Sequence, residues 1–306
     1  MAFTKALVGG KVLSFPHAPP QTDYDKPNKP GWVKKPRPDA DPLYSSVYFY
    51  WWAFLRLNED YIRCCEVGGG GAHRRLYEDF GDVRDGVRPT DDGDEFKAWW
   101  IERGAILFAE PDVALPVEEV REIKEHDLNG NFLFVKIPLL GKPKTLAGDV
   151  ERLIKQKFAH RTGVFSQAMY KAAGDHQLYS LDCMLRIKHA ELDLIKKYPN
   201  SRFTKARLVQ HAKLPMIEEP TAKGADPKAN IRKSGSRYLK DANTLIANVV
   251  HGSFPDFDEP NRPLSARPWL PREDDPHVVQ CRSRLHWINR QYERERRKAP
   301  SVTEEE

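Results

Sequence analysis

Apolar positions recur at helical spacing along most of the chain. From Leu178, the run LYSLDCMLRIKHAELDLIKKYP places Leu178, Leu181, Leu185, Leu192 and Ile195 on one face of a helix that must stop before Pro199. A shorter helix is predicted over residues 204–212, with Thr204 or Ser201 as cap and Leu208 inward. After a connection rich in Pro, Gly and Lys, Ser234 or Ser236 would cap a third helix. Its inward face is Leu239, Ala242, Leu245, Ile246 and Val249, and Gly252 and Pro255 end it.

Nearer the N-terminus, VYFYWWAFLRLNEDYIRCCEVGGGG (47–71) starts apolar on every side, which marks a helix buried around most of its circumference. Ser45 or Ser46 caps it, Trp51, Phe54, Leu55, Ile62 and Cys65 fall near helical spacing, and Gly68 stops it. A short helix is predicted over 94–103 with Gly104 as C-cap, followed by strands at 106–108 and 131–137. Near the C-terminus, QCRSRLHWINRQYERERRKAP reads as a helix with Leu285, Ile288 and Tyr292 inward. It can pack on the rest of the chain or pair with another copy. The expected fold is mainly α with a minor α+β element: two helical domains, the first with a short β hairpin or strand pair, the second a helix-turn-helix-like bundle.

Size and composition narrow the class. At 306 residues, with 40% hydrophobic and 30% charged residues, the chain has core material for two compact units plus flanks. Its longest unbroken apolar run, 47–55, is far short of the roughly 20 residues that span a bilayer. Lysines at 5 and 11 and glycines at 9 and 10 interrupt what a secretion signal would need, so a cytoplasmic location is expected. Cys64, Cys65, Cys183 and Cys281 show neither disulfide-framework nor zinc spacing. Adjacent Cys64 and Cys65 on a helix point about 100° apart and cannot share one metal from one face, so buried reduced thiols are expected.

Charge changes the picture more than composition does. The net +5 is +3 over 1–42, −8 over 43–141, +11 over 142–251 and −1 over 252–306. Together with the Pro/Gly break PLLGKPKTLAGD, this suggests a Pro-rich disordered arm (1–42), an acidic aromatic-cored domain (43–141), a basic domain (142–255) and a Pro-rich linker with a charged helix (256–306). The arm carries eight prolines between residues 15 and 42 and too little apolar surface to offset chain entropy.

Candidate chemistry is sparse. Gly68–Gly71 before His73, Arg74 and Arg75 has neither Walker nor dinucleotide-loop spacing and reads as an inter-helix loop. Asp112, Glu122 and Lys124 have the order of a PD-(D/E)xK nuclease site, but Val117, Val120 and Ile123 recur every three residues, a helical period where that site needs a strand. No metal, cofactor or catalytic residue is expected, and the chain leans away from being an enzyme. The basic half offers more. Arg202, Lys205 and Arg207 would serve the start of one helix, and Arg232, Lys233, Ser236, Arg237 and Lys240 that of another, where first-turn cations and hydroxyls meet phosphates. The alternative is a solvated basic face on a small bundle.

YWWAFLRLNEDY (50–61), FKAWWIERGAILFAEP (96–111), LYSLDCML and SRYLKDANTLIANVVHGSFP together resemble an uncharacterised proteobacterial family. They are also loosely similar to transcriptional-regulator-like proteins of integrative and mobile elements. That resemblance implies a DNA-binding protein with a helix-turn-helix-like C-terminal domain. The sequence departs from it in the connection 213–233, some twenty residues where a tight turn takes three or four. The other reading is an interaction protein of a mobile element or host defence locus whose basic half meets an acidic protein or RNA; metal-dependent cleavage is a lesser one.

Overall fold

The computed structural model describes residues 4–20, 36, 41–84, 95–111, 135, 137, 142–159, 166, 168–172, 177–214, 227–258, 271, 273 and 275–298. The chain is mainly helical, with a small two-stranded antiparallel sheet near its N-terminus. Compactness separates residues 1–111 with 166–306 from residues 112–165. The break proposed near 141 therefore falls inside the smaller unit, and helices from both halves of the sequence share the larger one.

Strands β1 (Thr4–Val8) and β2 (Lys11–Phe15) form a hairpin in the register Thr4↔Phe15 to Val8↔Lys11. Its two-residue turn is Gly9–Gly10, with φ of 55° and 77°, a region glycine enters without steric cost. This corrects the expected disordered arm over residues 4–20. Phe15 is fully buried, its ring 5.5 Å from Trp100, and the amide of Glu110 donates to Ser14 O at 2.8 Å. Ladder pairing and the burial of Val8 and Phe15 together offset the ordering entropy of this stretch.

Helix α1 (Val47–Leu55) is buried along its whole length, as the pattern required. Tyr48 stacks on Phe108 at 4.5 Å, and Trp51 lies 5.7 Å from Phe254 and 6.0 Å from Phe80. The predicted single helix is in fact two. Asn58 breaks it, accepting from the amide of Tyr61 at 2.8 Å to cap α2 (Glu59–Glu66) and donating to Ile246 O at 2.7 Å. Cys64 and Cys65 are buried and free, and Gly68–Gly71 lies in the loop before α3 (Arg74–Phe80).

The strand expected at 106–108 is helix. Residues Glu95–Trp99 (α4), a π-helical turn Trp100–Gly104 and Ala105–Phe108 (α5) run on as one helical stretch. Gly104 is not a C-cap but interior, where a Cβ would come within 2.6 Å of Trp100 and 2.7 Å of Trp99. Of the strand expected at 131–137 only Val135 and Ile137 are described, neither of them in a strand, and the trio Asp112, Glu122 and Lys124 lies outside the described residues.

In the smaller unit, α6 (Pro143–Ala159) is the described element. In the larger one, α7 (Leu178–Lys197), α8 (Lys205–His211) and α9 (Pro227–Asn248) pack on one another, and α1 lies against both α7 and α9. Strand β3 (Lys171–Ala172) pairs in parallel with β4 (Ser253–Phe254). Helix α10 (Pro276–Lys298) turns Val278, Cys281 and Leu285 inward, with Ile288 half-buried, and packs on α3. The side chain of Tyr292 lies outside the described residues. No described helix is long and apolar enough to cross a membrane.

Candidate nucleic-acid interface

Three helices position the basic side chains. On α9, Gly235, Tyr238, Leu239, Ala242 and Leu245 are buried on the side that packs against α7 and α8. Steps of 100° per residue then put Lys233, Ser236, Arg237 and Lys240 on the opposite side, and all four are exposed. Arg232 is exposed on the flank of this ridge. On α8, Leu208 and Val209 face inward, as does Ala212 just past its end, while Arg207 is exposed.

The two helices cross at Gly235. A Cβ there would sit 2.6 Å from Val209 Cγ2 and 3.3 Å from Lys205 O, so glycine is what lets α8 lie this close. Lys205 is half-buried at the crossing, and Thr204 caps α8, its hydroxyl accepting from the amide of Arg207 at 3.3 Å. Two other cations brace the bundle. Lys188 Nζ donates to Glu191 Oε2 at 2.8 Å and Asn243 Oδ1 at 2.9 Å, and Arg186 donates to Lys213 O. By contrast, Arg202, Lys205, Arg207, Arg232, Lys233, Arg237 and Lys240 have no carboxylate within ion-pairing distance among the described residues. Burial raises the Tyr238 phenol and the Cys183 thiol, so at neutral pH these neighbours are uncharged.

The structure brings Lys233, Ser236, Arg237 and Lys240 onto one ridge and sets Lys205 beside the Gly235 crossing. It does not bring Arg202 and Arg207 onto that ridge. Arg207 belongs to a second group at the α7–α8 connection, its guanidinium 5.5 Å from the Tyr198 ring and 5.3 Å from Phe203. Tyr198 and Phe203 were missed in the sequence. The signal present was KKYPNSRF, aromatics interleaved with cations just past a helix end.

Two expectations need correction. Neither Ser234 nor Ser236 caps the third helix: α9 starts at Pro227, so Arg232 to Lys240 lie in its interior, beyond the reach of its N-terminal partial charge. Ser-Gly-Ser reads as a breaker in sequence, but its glycine is there for the crossing. In addition, fifteen residues, 212–226, separate α8 from α9, so no tight helix-turn-helix turn joins them. Among the described residues no cluster of His, Cys, Asp and Glu is placed to hold a metal ion. The chain matches no protein-family model, no curated protein and no solved structure.

Proposed function

We propose that this chain binds DNA through the outward ridge of α9 and the basic α7–α8 connection, with the phosphate backbone as its main contact. One observation carries the reading: residues 194–217 and 227–240 hold eleven lysines and arginines and no carboxylate, and the described ones on the ridge are exposed and not ion-paired. Unneutralised cations on one ridge are costly to a bundle through mutual repulsion and gain their energy from an external polyanion. Lys233 to Lys240 spans roughly 10 Å of helix, about the axial run of three phosphates on one strand. A regulatory role, which the sequence resemblance to regulator-like proteins of integrative elements implies, is part of this proposal.

The reading is tested by duplex binding of a Lys233→Ala/Arg237→Ala/Lys240→Ala protein. At low salt it binds at least about tenfold more weakly, and alike on unrelated sequences, because phosphate contacts carry no sequence information. Arg74→Ala, on an exposed residue paired with Glu78, binds as the parent does. A triple variant with parental affinity removes the ridge from the function.

An acidic protein partner is a second reading, favoured by Leu192 and Ile195, which the sequence pattern placed inward but which are 42% and 48% exposed on α7. Isolation of one stoichiometric protein, unaffected by nuclease and lost in Leu192→Glu, supports it over DNA.

A further inference from the structure

We infer that the α7–α8 connection is a base-stacking subsite, built on Tyr198, that gives the basic face a preference for single-stranded over duplex nucleic acid; it rests on the DNA-binding reading above. Helix α7 ends at Lys197, and Tyr198 leaves it in a non-helical conformation, φ −139° and ψ 71°, just before Pro199. Proline there prevents the helix from continuing, so the tyrosine is carried off the helix end and stays 39% exposed.

The ring is nonetheless braced. Arg207 lies over two neighbouring aromatics, 5.5 Å from the Tyr198 centroid and 5.3 Å from that of Phe203, and the two rings are 6.3 Å apart. Lys197 Nζ is 5.4 Å from the Tyr198 centroid. A comparable pair elsewhere is structural: Arg56 sits 4.4 Å over Trp52, whose side chain is only 4% exposed. At Tyr198 the same interaction holds a ring that solvent, or a ligand, still reaches. A ring already fixed in place loses little freedom when a flat partner stacks on it.

The surroundings select the partner. No carboxylate occurs from 194 to 217, and Lys196, Lys197 and Arg202, near Tyr198 in sequence, are all exposed and so open to a phosphate chain. Aromatics interleaved with cations bind unpaired nucleotides, because each base offers a π-face and each linkage a charge. A duplex hides its base faces within its own stack, so it engages the cations but not the ring.

The test compares an oligothymidylate with a duplex of equal length, on the full chain. Tyr198→Ala weakens oligothymidylate binding about 5- to 150-fold and duplex binding far less, since the cations of the α9 ridge stay in place. Tyr198→Phe, which keeps the π-face, retains both. The α9 triple variant weakens both forms. Photo-crosslinking of a 5-iodouracil oligonucleotide to the unmutated chain maps to Tyr198, a readout independent of how the alanine variant folds. If Tyr198→Ala weakens both forms equally or neither, and the crosslink maps elsewhere, the stacking subsite is refuted while DNA binding stands. If the parent chain binds neither form, both fall together.

Discussion

Asp79 shows what single residues contribute. It is buried on α3, its carboxylate accepting from the Tyr170 hydroxyl at 2.8 Å and from Arg282 of α10 at 3.3 and 3.4 Å. Burial raises its carboxyl above the usual range, and the opposing pull of Arg282 and Tyr170 does not cancel this. A carboxyl whose folded value is raised binds protons more readily in the folded state, so stability falls as pH rises from the ordinary carboxylate value through the raised one. Asp79→Asn removes that slope, which denaturant titrations at a series of acidic pH values will show as a flatter profile. Arg282→Ala leaves the carboxylate buried without its cation and costs about 3 kcal/mol in the same measurement. The cysteines give a second residue-scale prediction. Burial pushes Cys65 up to about 12 and Cys281 to about 11 and also raises Cys64 and Cys183, so all four are protonated and covered at neutral pH. A thiol reagent added to native protein meets no fast-reacting group, whereas unfolded protein yields all four.

Among the elements, the α8–α9 crossing is the most sensitive joint. Gly235→Ala gains about 1 kcal/mol of helix propensity but drives its Cβ into a buried, stiff valine, an overpacking cost of about 1–3 kcal/mol. The thermal midpoint therefore falls by a few degrees. In a Val209→Ala background the 2.6 Å contact is gone and only the 3.3 Å approach to Lys205 O is left, so the same substitution lowers the midpoint less; equal effects in both backgrounds would contradict the crossing. This joint also shows how far the sequence could be read. Helices α7 and α8 were legible because Pro199 and Thr204 are local signals that packing does not override. The start of α9 was not, since Ser234-Gly235-Ser236 carries the local signature of a cap and only the nearness of α8 explains its glycine. Ile106–Phe108 misled for a similar reason: the β-prone Ile106 and Phe108 belong to a helical stretch begun at Glu95. The hairpin was legible but passed over, since Gly9–Gly10 between strand-like runs is a turn signal.

For the molecule as a whole, the basic and acidic halves of the sequence are not separate bodies. Trp51 of α1 stacks near Phe254, and Asn58 bonds to Ile246 at the end of α9, so the aromatic core backs the helices that carry the cations. The distribution of charge was legible in sequence; its convergence was not, because which cations share a ridge depends on where α9 begins and which side it buries. Lys233, Arg237 and Lys240 converge, while Arg207 is drawn instead to Tyr198 and Phe203. That convergence is the central claim, and the salt dependence of duplex binding tests it most directly. With about five phosphate contacts, the logarithm of the binding constant falls against the logarithm of salt concentration with a slope near −4.5, and the α9 triple variant lowers its magnitude by about 3. A slope near zero, or the same slope in parent and variant, would contradict the account.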